Sequence, residues 1–204
     1  MRKTAPCKAE TELLEPFTGI STDRISTPAL PEQFASAVAE IRAAGVVGFD
    51  TETKPVFAKG VVRPGPDIVQ FATGDRAFIF QAQRPECRPF LAEVLGAGEV
   101  LKVGFDLRED RALLRRWCGL EAKAVLDLGS VFRKKGYRNT IGVRAAVGLL
   151  LGQNFRKAKH VTTSDWSRSQ LSPTQLAYAA NDAYAALMVW IALGRPTPTS
   201  PQKI

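Results

Sequence analysis

Asp50 and Glu52 stand one residue apart in the run Val46-Val47-Gly48-Phe49-Asp50-Thr51-Glu52-Thr53. The apolar start of that run is short, β-branched and preceded by Gly45, which predicts a buried strand. Alternate residues of a strand share a side, so the two carboxylates project together. Like charges at the end of a buried strand are costly unless a cation lies between them. Mg²⁺ and Mn²⁺ suit that role, since both prefer carboxylate oxygen. A pair of solvated carboxylates at a strand end fits the same residues, so the rest of the chain must decide.

Two further acidic positions bear on that choice. Asp106 and Asp110 lie four apart at the start of a predicted helix and share a face. Acidic residues in a first turn also suit the helix dipole, so capping is the competing account. Asp182 is the sole acidic residue between Pro173 and Ile204, and it sits mid-helix among alanines. Tyr178 precedes it by one turn on the same face. A lone acid in such a helix needs a partner, and an ion pair with a neighbouring arginine would serve as well as a metal.

The elements that must position these groups follow from the pattern. The lead-in to about Ser26 is polar, carries Pro6, Pro16 and Gly19, and reads as extended or weakly ordered. A helix is predicted from Pro31 to Ala44, ended by Gly45, with the carboxylate strand directly after it. The Pro- and Gly-rich stretch 54–66 reads as a loop. Strands follow at Asp67–Thr73, Arg76–Gln81 and Val100–Val103, with a helix over about Pro85–Leu95 between the last two. Helices are predicted over Leu107–Trp117, Gly129–Lys135, Thr140–Leu151 with Thr140 as N-cap, and Pro173–Leu193 with Ser172 as N-cap. Ala124–Leu128 reads as a short strand, and Asn154–His160 as a basic loop. The tail from Gly194 has no periodicity.

The chain has 204 residues, 45% hydrophobic and 24% charged, enough for one sizeable α/β domain. No apolar run approaches the length of a membrane span, and no secretory signal is evident. Three scattered cysteines lack metal-ligand spacing and fit a reduced, cytoplasmic setting, with association to the nucleoid as an option. His160 is the single histidine, which argues against most zinc hydrolase designs. The net charge is +8, and eight basic residues with no acidic one lie between Arg133 and Lys159. That one-sided field points to a polyanion such as nucleic acid, or to a solvated basic face.

Taken together, Phe49-Asp50-Thr51-Glu52, Val103-Gly104 with Asp110, and Tyr178-xxx-Asp182 resemble the three motifs of the DEDD superfamily of 3′–5′ exonucleases. The Tyr-xxx-Asp form is that of its tyrosine branch, with ribonuclease D and Werner-type exonuclease domains the nearest likeness. In the histidine branch the histidine would fall at Ala177. Asp165-Trp166-Ser167-Arg168, Leu171-Ser172 and the residues around Tyr178 are also similar to that family. The resemblance runs from about Leu30 to Leu193.

It implies a ribonuclease H-like α/β fold, with a mixed sheet of about five strands flanked by helices. Residues 27–194 would form the exonuclease domain, after an N-terminal extension (1–26) and before a C-terminal tail (195–204). It implies a metal-dependent 3′–5′ exonuclease releasing nucleoside 5′-monophosphates from DNA or RNA, with two divalent cations, Mg²⁺ or Mn²⁺. Asp50, Glu52, Asp110 and Asp182 would bind the metals, Tyr178 would orient the attacking water, and Asp106 would support them without binding metal. The 3′ end of a single or frayed strand would meet Thr53, Lys54, Phe57, Arg63, Arg156, Lys157, Lys159, His160 and Trp166. Each of these basic residues is equally a solvated surface charge, and Trp166 could fill the core instead of stacking on a base. A catalytically silent nucleic-acid-binding module, or an accessory subunit of a larger assembly, is the alternative. Four converging acids count against the former, since they would repel a polyanion.

Overall fold

The computed structural model describes residues 3–56, 64–119, 121–137 and 140–198. In chain order the first elements are α1 (Lys8–Glu12), β1 (Glu15–Pro16), β2 (Ile25–Ser26), α2 (Pro31–Ala44), β3 (Val46–Glu52), β4 (Ile68–Ala72), β5 (Ala77–Gln81) and α3 (Cys87–Gly96). Then follow β6 (Leu101–Gly104), α4 (Arg108–Cys118), β7 (Val125–Asp127), α5 (Leu128–Lys134), α6 (Val143–Leu151), β8 (Gln153–Asn154), α7 (Lys159–Thr162) and α8 (Pro173–Ala192).

The main sheet has six strands in the order β2-β5-β4-β3-β6-β7. β3 and β5 run antiparallel to β4, while β6 runs parallel to β3 and β7 parallel to β6. The sixth strand comes from the segment expected to be weakly ordered: Ile25 and Ser26 pair in parallel with Ala77 and Phe78. Two paired residues leave no period for a sequence pattern to register. Other parts of that lead-in are tied down as well. β1 pairs with β8, Phe17 meets the Phe155 ring edge-on at 5.3 Å, and Ile20 N donates to Asn181 Oδ1 at 2.9 Å.

Alternation along the strands divides the core into two layers. Val47, Phe49, Val69, Phe71, Phe78 and Phe80 face α2 and α3, where they pack with Phe34, Ile41 and Leu91. Ile68, Ala72, Ala77 and Ile79 face α8 and pack with Ala179, Ala180 and Ala183. Gly45, left-handed at φ 68°, closes α2 and turns the chain straight into β3.

α8 is organised to lie close on β3. Ser172 Oγ accepts from Gln175 N, and the Gln175 side chain returns to Ser172 N, so the helix start is fixed. Its sheet-facing side is alanine, and opposite Ala183 the strand carries Gly48. A Cβ built on Gly48 would lie 1.8 Å from the Ala183 carbonyl oxygen, so only glycine allows this approach. α6 begins at Val143 with Gly142 as N-cap and no side-chain cap, two residues later than Thr140 would place it. Ile141, 1% exposed, is anchored in the core just before the helix.

Candidate active site

β3 and α8 between them place three carboxylates at one point. Asp50 and Glu52 lie on the α8 side of β3, and Asp182 faces them from the helix. Ligand oxygens of these three lie within 4.8 Å of one another. Asp182 is 3% exposed and neither of its oxygens accepts a hydrogen bond among the described residues. The ammonium of Lys157 lies against it, Nζ 3.0 Å from Oδ1, as a charge contact outside hydrogen-bond geometry. The cluster opens into a cleft of about 560 Å³, also lined by Asp106, Asp110, Tyr178, Thr162 and Arg144.

Asp110 reaches this cleft from the other layer. α4 is held by Leu107 and Leu114 in the core that contains Phe49. Asp110 in its first turn therefore arrives at the end of β3 from the side to which Thr51 points, and the Thr51 hydroxyl donates to Asp110 Oδ1. That bond explains why Asp110 stands beside the group of three without joining it. Asp106, at φ 54°, is in the left-handed region just before α4, and it lines the cleft without joining the group either.

The electrostatics follow from the crowding. Burial, together with Asp110 and Asp182, holds the Asp50 carboxyl well above the usual carboxylate range, and Lys157 opposes this. Burial and then Asp182 push Glu52 up to about 8. Burial raises Asp110 despite the Thr51 hydrogen bond, and raises Asp182 despite Lys157. Buried carboxylates this close cannot all ionise without added positive charge. A hard divalent cation would supply it, and the donor set is wholly oxygen, as such an ion prefers. The buried Asp182 oxygens, which meet no described residue in hydrogen-bond geometry, fit the same account.

Tyr178 sits one turn before Asp182, its hydroxyl 2.9 Å from Thr162 Oγ1 and its ring 5.9 Å from that of Trp166. Burial and the Asp182 charge raise the phenol above its ordinary value, so at neutral pH it is a neutral hydrogen-bonding group.

The chain and its fold have counterparts among known proteins. A family model described as 3′–5′ exonuclease matches residues 25–196. The chain belongs to the 3′–5′ exonuclease family. Over 152 residues, 73% of the chain, it is 28% identical to the mouse bifunctional 3′–5′ exonuclease/ATP-dependent helicase WRN, of which it covers 11%. Over 136 residues, 67% of the chain, it is 29% identical to ribonuclease D of Xanthomonas oryzae, of which it covers 36%. The chain thus spans a minor part of either relative. The crystal structure of Trypanosoma brucei RNase D in complex with RNA U12 superposes with a TM-score of 0.72 over 83% of this chain and 62% of that one, at 22% identity. The fold is ribonuclease H-like.

The residues expected to meet nucleic acid fall into groups. Arg156, Lys159 and His160 are exposed, and Thr53 is half-buried just past β3. Lys54 is engaged at the protein surface, its Nζ 2.8 Å from Asp165 Oδ2. Phe57 and Arg63 lie outside the described residues. Trp166 is 0% exposed, packed with Ile68, Ile79 and Ala179, so it is a core residue and not a stacking platform. Lys157 is not a free surface charge but part of the carboxylate cluster. Sequence reasoning missed Thr51 and Thr162. The one signal for Thr51 was its place between two acids, and nothing distinguished Thr162 before Tyr178 was placed.

Proposed function

We propose that this chain is a metal-dependent 3′–5′ exonuclease that removes nucleoside 5′-monophosphates from the 3′ end of DNA or RNA. The observation that carries this reading is the convergence of Asp50, Glu52 and Asp182 within 4.8 Å at the floor of an open cleft. Two divalent cations, Mg²⁺ or Mn²⁺, would supply charge on the scissile phosphate and a nucleophile at neutral pH. Asp50, Glu52, Asp110 and Asp182 would hold them. Tyr178, a neutral hydroxyl in the cleft wall, would orient the attacking water by a hydrogen bond. Asp106 would keep the polar end of the cleft ordered. Arg156, Lys159 and His160 are exposed and would meet the backbone phosphates. RNA in the complex of the T. brucei neighbour, and the exonuclease and ribonuclease names of the relatives, support a nucleic-acid substrate.

Residues 27–194 are taken as the catalytic unit, with residues 1–26 as an extension whose last two residues add β2 to its sheet, and 195–204 as a tail. No helix among the described residues is long and apolar enough to cross a membrane. Free cysteines at positions 7, 87 and 118 suit the reducing cytoplasm, where the proposed substrates are found.

The test is a denaturing-gel time course on a 5′-labelled single strand, as DNA and as RNA, with Mg²⁺, Mn²⁺ or EDTA. A ladder that shortens from the 3′ end with metal and stops with EDTA is the expected result. Binding without cleavage of either strand would move the reading to a silent module.

A further inference from the structure

The proposed reaction does not use the ammonium that lies inside the carboxylate cluster. Lys157 follows β8 on a strap whose backbone is fixed by Asn154 and Phe155, both buried. From that anchor its side chain, 34% exposed, runs inward to Asp182, whose side chain is 1% exposed. Its Nζ lies 5.8 Å from the centre of the Tyr178 ring, so aromatic density also faces the charge. Asp50, Glu52 and Asp182 would carry three negative charges if ionised, and Lys157 is a cation that the chain itself brings against Asp182.

We propose that Lys157 is the internal counter-ion of this cluster and competes with the divalent cation for the charge of Asp182. The inference rests on the metal-dependent reading above. The physical basis is plain. A positive charge 3.0 Å from a metal-ligating oxygen stabilises the metal-free cluster and weakens the attraction for a second cation. An ammonium is a compact charge on a flexible four-carbon stem, so it can leave Asp182 toward the open cleft without moving the strap. The residue thereby sets how tightly the site takes metal, a role distinct from contact with substrate phosphate.

The experiment is calorimetric titration of Mn²⁺ into metal-stripped protein, paired with thermal melting in EDTA. It compares wild type with Lys157→Met, Lys157→Gln, Lys157→Arg and Asp182→Asn. Lys157→Met and Lys157→Gln are expected to bind Mn²⁺ roughly tenfold more tightly, the scale of one partly buried ion pair, and to melt at a lower temperature in EDTA. Lys157→Arg keeps the charge and should stay near wild type. Mn²⁺ affinity in both neutral variants that equals or falls below wild type overturns the assignment, and is what a residue serving only phosphate would give. Wild type that binds no Mn²⁺, or binds it unchanged by Asp182→Asn, overturns the metal-dependent reading itself.

Discussion

Gly48 of β3 and Ala183 of α8 meet backbone to backbone: a Cβ on Gly48 would lie 1.8 Å from the Ala183 carbonyl oxygen. That contact fixes the distance between the strand that carries Asp50 and Glu52 and the helix that carries Asp182. Neither partner can yield by rotating a side chain, because the obstruction is main chain. Gly48→Ala should therefore cost about 3 kcal/mol or more by overpacking and also lose most activity, since the helix must move off the strand. Gly74→Ala is the control, with open space around its Cβ, and should change stability by less than about 0.5 kcal/mol. Denaturant melts and the gel assay on both variants check the pair, and a Gly48→Ala protein with wild-type stability would contradict the packing argument.

Glu52 makes the metal-free protein sensitive to pH. Its carboxyl is pushed up to about 8 from 4.5, first by burial and then by Asp182. Between those values the folded state keeps a proton that the unfolded chain has released, so stability falls as pH rises. Its contribution is fully present below pH 4.5 and is lost as pH rises through about 8. Melting temperature in EDTA should thus decline toward pH 8, more steeply in wild type than in Glu52→Gln. Saturating Mn²⁺ should flatten the decline, because it favours the ionised form. Equal slopes for wild type and Glu52→Gln in EDTA would show that Glu52 does not titrate as placed.

Trp166 separates core from surface. It is 0% exposed among Ile68, Ile79 and Ala179 and lies against Tyr178. Trp166→Ala should cost about 3–5 kcal/mol, as large cavities do, while Trp166→Phe should keep much of the stability. Were the indole a base-stacking platform, Trp166→Ala would instead keep its stability and raise KM for the nucleic acid. Chemical denaturation alone distinguishes the two.

The parts of this site that were legible in the sequence are those set by periodicity. Asp50 and Glu52 share a face because a strand alternates, and Tyr178 and Asp182 because a helix returns after four residues. What was not legible depends on contacts between distant segments. Lys157 reads as one of many basic residues until α8 is placed beside its strap. Trp166 reads as core or as a platform until its packing is seen. β2 contributes two residues to the sheet, too few to leave a pattern, and the lead-in was underestimated for that reason. Asp110 was matched by motif, but that it approaches from the opposite layer and is held by Thr51 required the register of β3 against α4.

Tyr178 offers the sharpest separation of positioning from packing. Its ring packs against Trp166, while its hydroxyl meets Thr162 Oγ1 at 2.9 Å and faces the cleft. Tyr178→Phe keeps the ring and removes one hydroxyl, so stability should fall by no more than about 1 kcal/mol. All four carboxylates remain in the variant, and Lys157 still faces Asp182, so Mn²⁺ affinity should fall by less than the 10–100-fold seen when a group that orients a metal ligand is removed. Turnover, by contrast, should fall by about 10²-fold, the lower range for loss of a positioned proton donor or acceptor. KM should change little, because the hydroxyl acts on water and not on the bound strand. The phenol is held above its ordinary value, so it stays neutral, and the residual rate of Tyr178→Phe should rise and fall with pH as wild type does. A pH profile that loses one limb in the variant would instead make Tyr178 the titrating base.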